Sequence, residues 1–248
     1  MKRIRSVVGF AALVGSAGLS QATVLDLTTA GSQGTINGAR FFELSVAPTG
    51  TGVIQSFVRV QRNDTEQGYN TSGRPVAFDE NTSPNFTRNL TYGDIPIVTI
   101  DGIAYKEFLL DINQSNSNPL LSLDKIQIFS SAVGSQTTTN VSSLGSLVYD
   151  LDAGTDSWIR MNYSLNAGSG QGDMKMYVPV SAFGAITGNT FIYLYSAFGL
   201  QGGNLATNDG FEEWAVQSVT SIVPLPTSAL AGGALLAGLA VIRRLRRR

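Results

Sequence analysis

Three carboxylates crowd one short segment, Asp150-Leu151-Asp152-Ala153-Gly154-Thr155-Asp156. In an extended chain, residues two apart point to the same side, so Asp150 and Asp152 share a face, and Gly154 permits a tight bend before Asp156. Hard oxygen clusters of this kind suit calcium, and a structural calcium ion held by Asp150, Asp152 and Asp156 is the one cofactor the sequence suggests. A twelve-residue EF-hand loop would end in Glu, whereas the twelfth position here is Met161, so that motif is absent. The same residues also read as a solvated acidic turn leading into Trp158. A looser oxygen group is Asp111, Asn113 and Asp124, flanking a second loop.

Glu212-Glu213 invites a hydrolase reading, because glycoside hydrolysis uses two carboxyl groups on opposite sides of the scissile bond. Adjacent residues of a strand face opposite ways, so these two cannot form that pair together. Either would need a distant partner such as Glu43 or Glu107, and nothing in the spacing supplies one. The segment 209–214 is expected to anchor a last strand, with Phe211 and Trp214 packed and the carboxylates outside. The chain has neither His nor Cys. Ser-His-Asp and Cys-His catalysis, His-ligated zinc, thiol redox work and disulfides are therefore excluded by residue type. The expectation is a protein with no catalytic residues.

All eighteen Asp and Glu lie between Asp26 and Glu213, whereas only nine of the seventeen Lys and Arg fall there. The body alone carries a formal charge of −9, although the whole chain is at −1. Nucleic-acid binding, which needs clustered Lys and Arg against phosphates, is excluded, and cations or neutral partners are favoured.

The elements that must hold these residues read as strands. Apolar and polar residues alternate in Phe57-Val58-Arg59-Val60 and Ile126-Gln127-Ile128, the period of a half-buried strand. The pattern predicts strands over 39–46, 54–61, 95–100, 103–111, 125–129, 147–151, 158–165, 173–179, 190–197 and 214–222. Gly, Asn, Ser, Thr and Pro clusters separate them, and Asp101-Gly102 between Ile100 and Ile103 is a two-residue hairpin turn. Many short strands with turn chemistry between them predict an all-β fold, an antiparallel β-sandwich or jelly-roll-like body over 23–222. The stretch 63–91, poor in aliphatic residues, is read as a long excursion, either a mobile flap or a binding loop. Its Tyr69 and Tyr92 look free to stack on a sugar, while Trp158, Tyr163, Tyr193, Tyr195 and Trp214 sit within strand patterns and read as core. Asn-x-Ser/Thr occurs at Asn63, Asn70, Asn81, Asn85, Asn89, Asn113, Asn140 and Asn162, which a loop composition rich in Ser and Thr explains as well as glycosylation does.

The two ends carry addressing signals. Lys2, Arg3 and Arg5 precede the apolar stretch 7–19, and Ser20-Gln21-Ala22 presents small residues at the positions a signal peptidase reads, so residues 1–22 are expected to be removed after Ala22. At the other end stand Val223-Pro224-Leu225-Pro226, an apolar run over 229–242, and Arg243, Arg244, Arg246, Arg247 and Arg248. Fourteen apolar residues fall short of the about 20 of a durable span, and the arginines form a cytoplasmic stop. Gly232, Gly233 and Gly238 allow close helix approach.

This order of a proline turn, apolar helix and arginine tail over 223–248 resembles the PEP-CTERM class of bacterial sorting signals, closest to its VPLPA form. Leu225 stands where the commonest form has Glu, and Thr227 where the VPLPA form has Ala. The resemblance implies recognition by an exosortase, an integral-membrane cysteine protease of Gram-negative bacteria that make extracellular polysaccharide. The expected life history is an exported, inner-membrane-anchored precursor, processed and delivered to the cell surface or extracellular matrix. A structural or polysaccharide-associated binding role follows, with a carbohydrate-active enzyme using paired carboxylates and a calcium-stabilised adhesion module as the alternatives.

Overall fold

In a computed structural model, residues 23–44, 54–168, 170, 172–208 and 210–217 are described. They contain fourteen strands and no α-helix. The leader, Ala22, the Val223–Pro226 turn, the 229–242 run and the arginine tail lie outside them. Among the described residues no helix is long and apolar enough to cross a membrane.

Each of the ten expected strands is present among the described residues, 103–111 with the expected bounds and the others with bounds that differ, the expected 45–46 and 218–222 lying outside the described residues. They are β3 (Ala39–Glu43), β4 (Ile54–Val60), β7 (Ile97–Ile100), β8 (Ile103–Asp111), β9 (Leu120–Ser131), β10 (Ser146–Asp150), β11 (Ser157–Asn162), β12 (Met174–Pro179), β13 (Phe191–Phe198) and β14 (Glu212–Gln217). Four short strands had no clear alternation to announce them: β1 (Thr23–Asp26), β2 (Gln33–Ile36), β5 (Glu66–Tyr69) and β6 (Leu90–Thr91). β9 is much longer than the five residues expected, because it is the central strand on which β10, β11 and β13 all pair.

Two seven-stranded sheets result. The first runs β1-β11-β9-β13-β5, with β10 added to β9 and β6 to β13; the second runs β2-β3-β12-β8-β14-β4, with β7 added to β8. The pairings are antiparallel with one exception, β1 lying parallel to β11. Asp101-Gly102 turns β7 into β8 with φ of 53° and 80°, as a two-residue hairpin requires. Asn37-Gly38 does the same between β2 and β3, with φ of 49° and 84°.

The main core lies between the sheets. Ile126, Ile128, Ile192, Leu194 and Phe198 of the first sheet pack into one cluster with Phe41, Phe57, Phe108, Leu110, Met176 and Trp214 of the second. Trp214 is fully buried, and its Nε1–H donates to Ser196 Oγ across the gap at 3.1 Å. Ser196 thus satisfies the one polar group that the largest core side chain brings inside.

The 63–91 excursion is pinned at both sheets. Part of it covers the outer face of the first sheet, where Phe78 and Ala77 pack on Tyr69, Tyr193 and Tyr195. Another part runs along the edge strand β4, with Asn81 N–H donating to Arg59 O at 2.8 Å and Arg88 N–H to Phe57 O at 2.9 Å. Polar staples replace a core of its own. Arg74 donates to the carbonyls of Thr71, Gly73, Thr82 and Thr87, and the buried Glu80 carboxylate accepts from Tyr69 N–H and Phe78 N–H at 3.0 and 2.7 Å. Asn70, a sequon asparagine, is wholly buried, donating to Ile192 O and accepting from Leu194 N–H, which closes that position to a glycan.

Ser196→Ala strands the Trp214 N–H inside the core and is expected to lower stability by about 1–3 kcal/mol. Urea unfolding measures this; an unchanged midpoint would mean that Trp214 finds another acceptor.

Candidate functional site

Two grooves and a set of buried carboxylates are the candidates. The first groove, ≈490 Å³, is lined by Gln55 and Ser56 of β4, by Pro84, Asn85, Phe86 and Arg88 of the excursion, and by Glu213 of β14. Its floor is organised by Arg59, whose guanidinium lies 3.5 Å from the Phe86 ring centroid and 3.8 Å from that of Phe211. Arg59 faces Glu213 directly in the β14–β4 register and donates to its Oε2 from Nε and Nη2 at 3.2 and 2.6 Å. A guanidinium is planar and weakly hydrated, so it can be stacked between two rings and still hold a carboxylate in its plane. The wall is fixed to the floor, since Ser56 Oγ donates to Phe86 O at 3.0 Å and Arg88 Nε to Ser56 O at 3.1 Å.

The second groove, ≈450 Å³, is lined by Arg40, Phe42, Asp101, Lys175 and Tyr177 among others. Phe42 meets Tyr177 edge to face at 5.4 Å, and Tyr177 meets Tyr105 in the same manner at 6.4 Å. Arg40 pairs with Asp101 at 2.9 Å, and Lys175 with Glu107 at 3.1 Å.

The sequence-derived residues fall as follows. Asp150 accepts from Gln127 Nε2 and Asp152 N–H, both at 2.9 Å. Asp152 accepts from Lys125 Nζ at 3.1 Å and Ser157 N–H at 3.0 Å. Asp156 is exposed. Asp150 and Asp152 thus hold backbone N–H groups of their own turn and side chains of β9. Among the described residues no group of three or more His, Cys, Asp and Glu is placed to hold a metal ion. Asp111 and Asp124 lie on different sheets with separate partners: Asp111 accepts from Gly170 N–H, whereas Asp124 holds Ser122 Oγ, Leu200 N–H and Gln201 Nε2.

Tyr69 and Tyr92 are not free. Tyr69 is fully buried with its hydroxyl donating to Thr138 O at 2.9 Å, and Tyr92 packs on Phe183 and under the Lys106 ammonium. Excursion residues that line the first groove are Pro84, Asn85, Phe86 and Arg88. The sequence marked Asn85 only as a sequon and the others not at all, because only the pairing of this segment against β4 reveals their side.

Glu212 and Glu213 face opposite ways, as alternation requires, but both are buried. Glu213 is covered on the outer face by the rings and Arg59, while Glu212 enters the space between the sheets and meets Glu66. Gly210 lets the chain enter β14 there, since a Cβ at this position would lie 1.7 Å from Asn113 O. Among the described residues nine of the seventeen acids are buried: Glu43, Glu66, Glu80, Glu107, Asp111, Asp124, Asp173, Glu212 and Glu213. Burial lifts Asp111 to about 6 against the pull of the Gly170 N–H, and raises Asp173 well above its ordinary value. Glu66 and Glu212 are in direct contact and 1% exposed. A glycosidase pair stands about 5 Å or more apart around its substrate, so these two carboxyls cannot flank a glycosidic bond.

No family model, curated protein or solved structure matches this chain.

Arg59→Met leaves Glu213 buried beside Asp111 without its cation and is expected to cost about 3–5 kcal/mol, most of it regained on adding Glu213→Leu. Denaturation of the single and double variants tests this, and additive losses would count against the pairing. Asp152→Ala is expected to lower Tm by the same amount in calcium and in EDTA. A loss confined to calcium buffer would assign the turn to the ion.

Proposed function

We propose that this chain is an exported protein of the cell surface or extracellular matrix, released by exosortase-type processing at its Val223–Pro226 signal. Its two-sheet body, jelly-roll-like in layout, serves a structural, polysaccharide-associated binding role. The observation that carries the binding reading is the groove formed by Gln55, Asn85, Phe86, Arg88 and Glu213. Amide, guanidinium and carboxylate groups beside a ring edge offer both the hydrogen bonds that sugar hydroxyls need and an apolar surface for their C–H faces. Its open shape suits a chain passing through. The terminal signals support delivery to a compartment where such chains are found.

The test has two arms. Intact mass of the protein from membrane, surface and medium fractions is expected to show a species from Thr23 to near Pro224 outside the membrane; retention of Arg248 in the membrane fraction alone would make the tail an ordinary anchor. Affinity electrophoresis of that mature species through the host's purified extracellular polysaccharide is expected to show retardation. Asn85→Ala with Arg88→Ala should weaken it about tenfold or more, the worth of one or two lost hydrogen bonds. Equal mobility of wild type and variant would remove the groove from the binding role.

A further inference from the structure

Glu66 comes from β5 of the first sheet and Glu212 from β14 of the second, and their side chains touch between the sheets. Glu66 Oε2 accepts from Arg62 N–H at 2.8 Å, and Glu212 Oε1 accepts from Gln114 Nε2 at 3.1 Å, with the Asn113 N–H also directed at Glu212. One oxygen of each carboxyl, Glu66 Oε1 and Glu212 Oε2, is left with no donor although both are buried. The arginines nearby are engaged elsewhere, Arg59 with Glu213 at 2.6 Å and Arg62 with Asp79 at 3.5 Å. The other charged groups facing the pair are acidic: Asp79 from the excursion, Asp111 from β8 and Asp173 ahead of β12.

Two ionised carboxylates cannot hydrogen-bond to each other, since neither has a donor. A single proton turns one of them into an O–H donor and satisfies both orphan oxygens at once. We infer that Glu66 and Glu212 share one proton, and that this carboxylic acid–carboxylate bond is a pH-gated latch between the two sheets. Glu66 carries the proton, because Glu212 has two donors to stabilise its charge and Glu66 has one. Burial first, and then the charge of Glu212, push Glu66 far above its ordinary 4.5.

A group whose folded pKa is raised holds its proton in the folded state after the unfolded chain has lost it, so the folded state binds one proton more. The stabilisation is complete below the ordinary carboxylate value and declines as pH rises through neutrality, the unfolding constant growing about tenfold per pH unit for one proton. β5 is the first strand within the 63–91 excursion, so the latch holds the groove-bearing segment to the sandwich as well as sheet to sheet.

Glu66→Gln tests the latch, because an amide donates to Glu212 without titrating. Urea unfolding of the mature protein from about pH 6 to 9 is expected to show the wild-type unfolding constant rising about tenfold more per pH unit than that of E66Q. Infrared spectra at about pH 8 should show a carboxylic-acid C=O band in the wild type, diminished in E66Q and in Glu212→Gln. If E66Q does not fold, that band and its loss in E212Q decide the matter. Equal pH slopes with no such band would overturn the proposal. So would a calcium or sodium dependence of stability that E66Q abolishes, since the pair would then be neutralised by a cation.

Discussion

A carboxylate removed from water must be met by a donor, a cation or a proton, and this protein removes nine of them. The body has nine Lys and Arg for eighteen Asp and Glu and no histidine at all, so cations cannot serve every buried acid. Backbone N–H groups take up most of the work. Glu80 holds the amides of Tyr69 and Phe78, Asp173 holds that of Ile112, and Asp111 holds that of Gly170. The bonds from Tyr69, Ile112 and Gly170 each tie together two segments that are separated in the chain. The buried acids are thus the joints of the fold, in a chain that has no disulfide to fix its loops.

The buried lysine obeys the same rule in reverse. Lys106 points to the core side of β8, where its ammonium donates to Tyr92 O and Ile95 O at 2.9 and 2.7 Å and lies over the Tyr92 ring. Burial lowers its pKa, and the two carbonyls are what keep a donor-rich group tolerable there. The lysine thereby fixes the segment that follows the excursion, as Glu80 fixes its middle. Arg59 does the comparable task on the outer face, where Phe86 and Phe211 shield its pair with Glu213 and place the groove wall.

Strand identity was legible because the core positions alternate: Phe57, Phe108, Leu110, Met174 and Met176 mark one face of their strands, and turn residues such as Asp101-Gly102 mark the ends. The four short strands were not legible, since a four-residue strand such as Gln33–Ile36 is set by pairing with β3 and offers no pattern of its own. Asn37-Gly38 was a readable hairpin signal for it. The carboxylate contacts were illegible for a different reason. Glu66 and Glu212 are 146 positions apart and meet only because the sheets stack, and alternation says which way Glu212 points without saying whether that side is wet. Polar residues were assigned to the surface by default, and for nine of the seventeen described acids the default fails.

That failure changes what the composition implies about partners. A charge of −9 spread over the surface would repel anionic polymers strongly, but buried acids do not contribute in this way. Arg59 and Lys175, which pair with Glu213 and Glu107, are already counted in the −9, but burial raises the pKa values of Glu66, Glu80, Asp173 and Glu212 and so favours their neutral forms. The exterior is consequently closer to neutral than the sequence indicates, with Arg40, Arg88 and Lys175 lining the two grooves. Electrostatic steering of a ligand depends on the field outside the molecule. A hydrated, neutral or weakly acidic glycan therefore meets much less repulsion at these grooves than counting Asp and Glu would suggest, and hydrogen bonding with ring contact can decide the affinity.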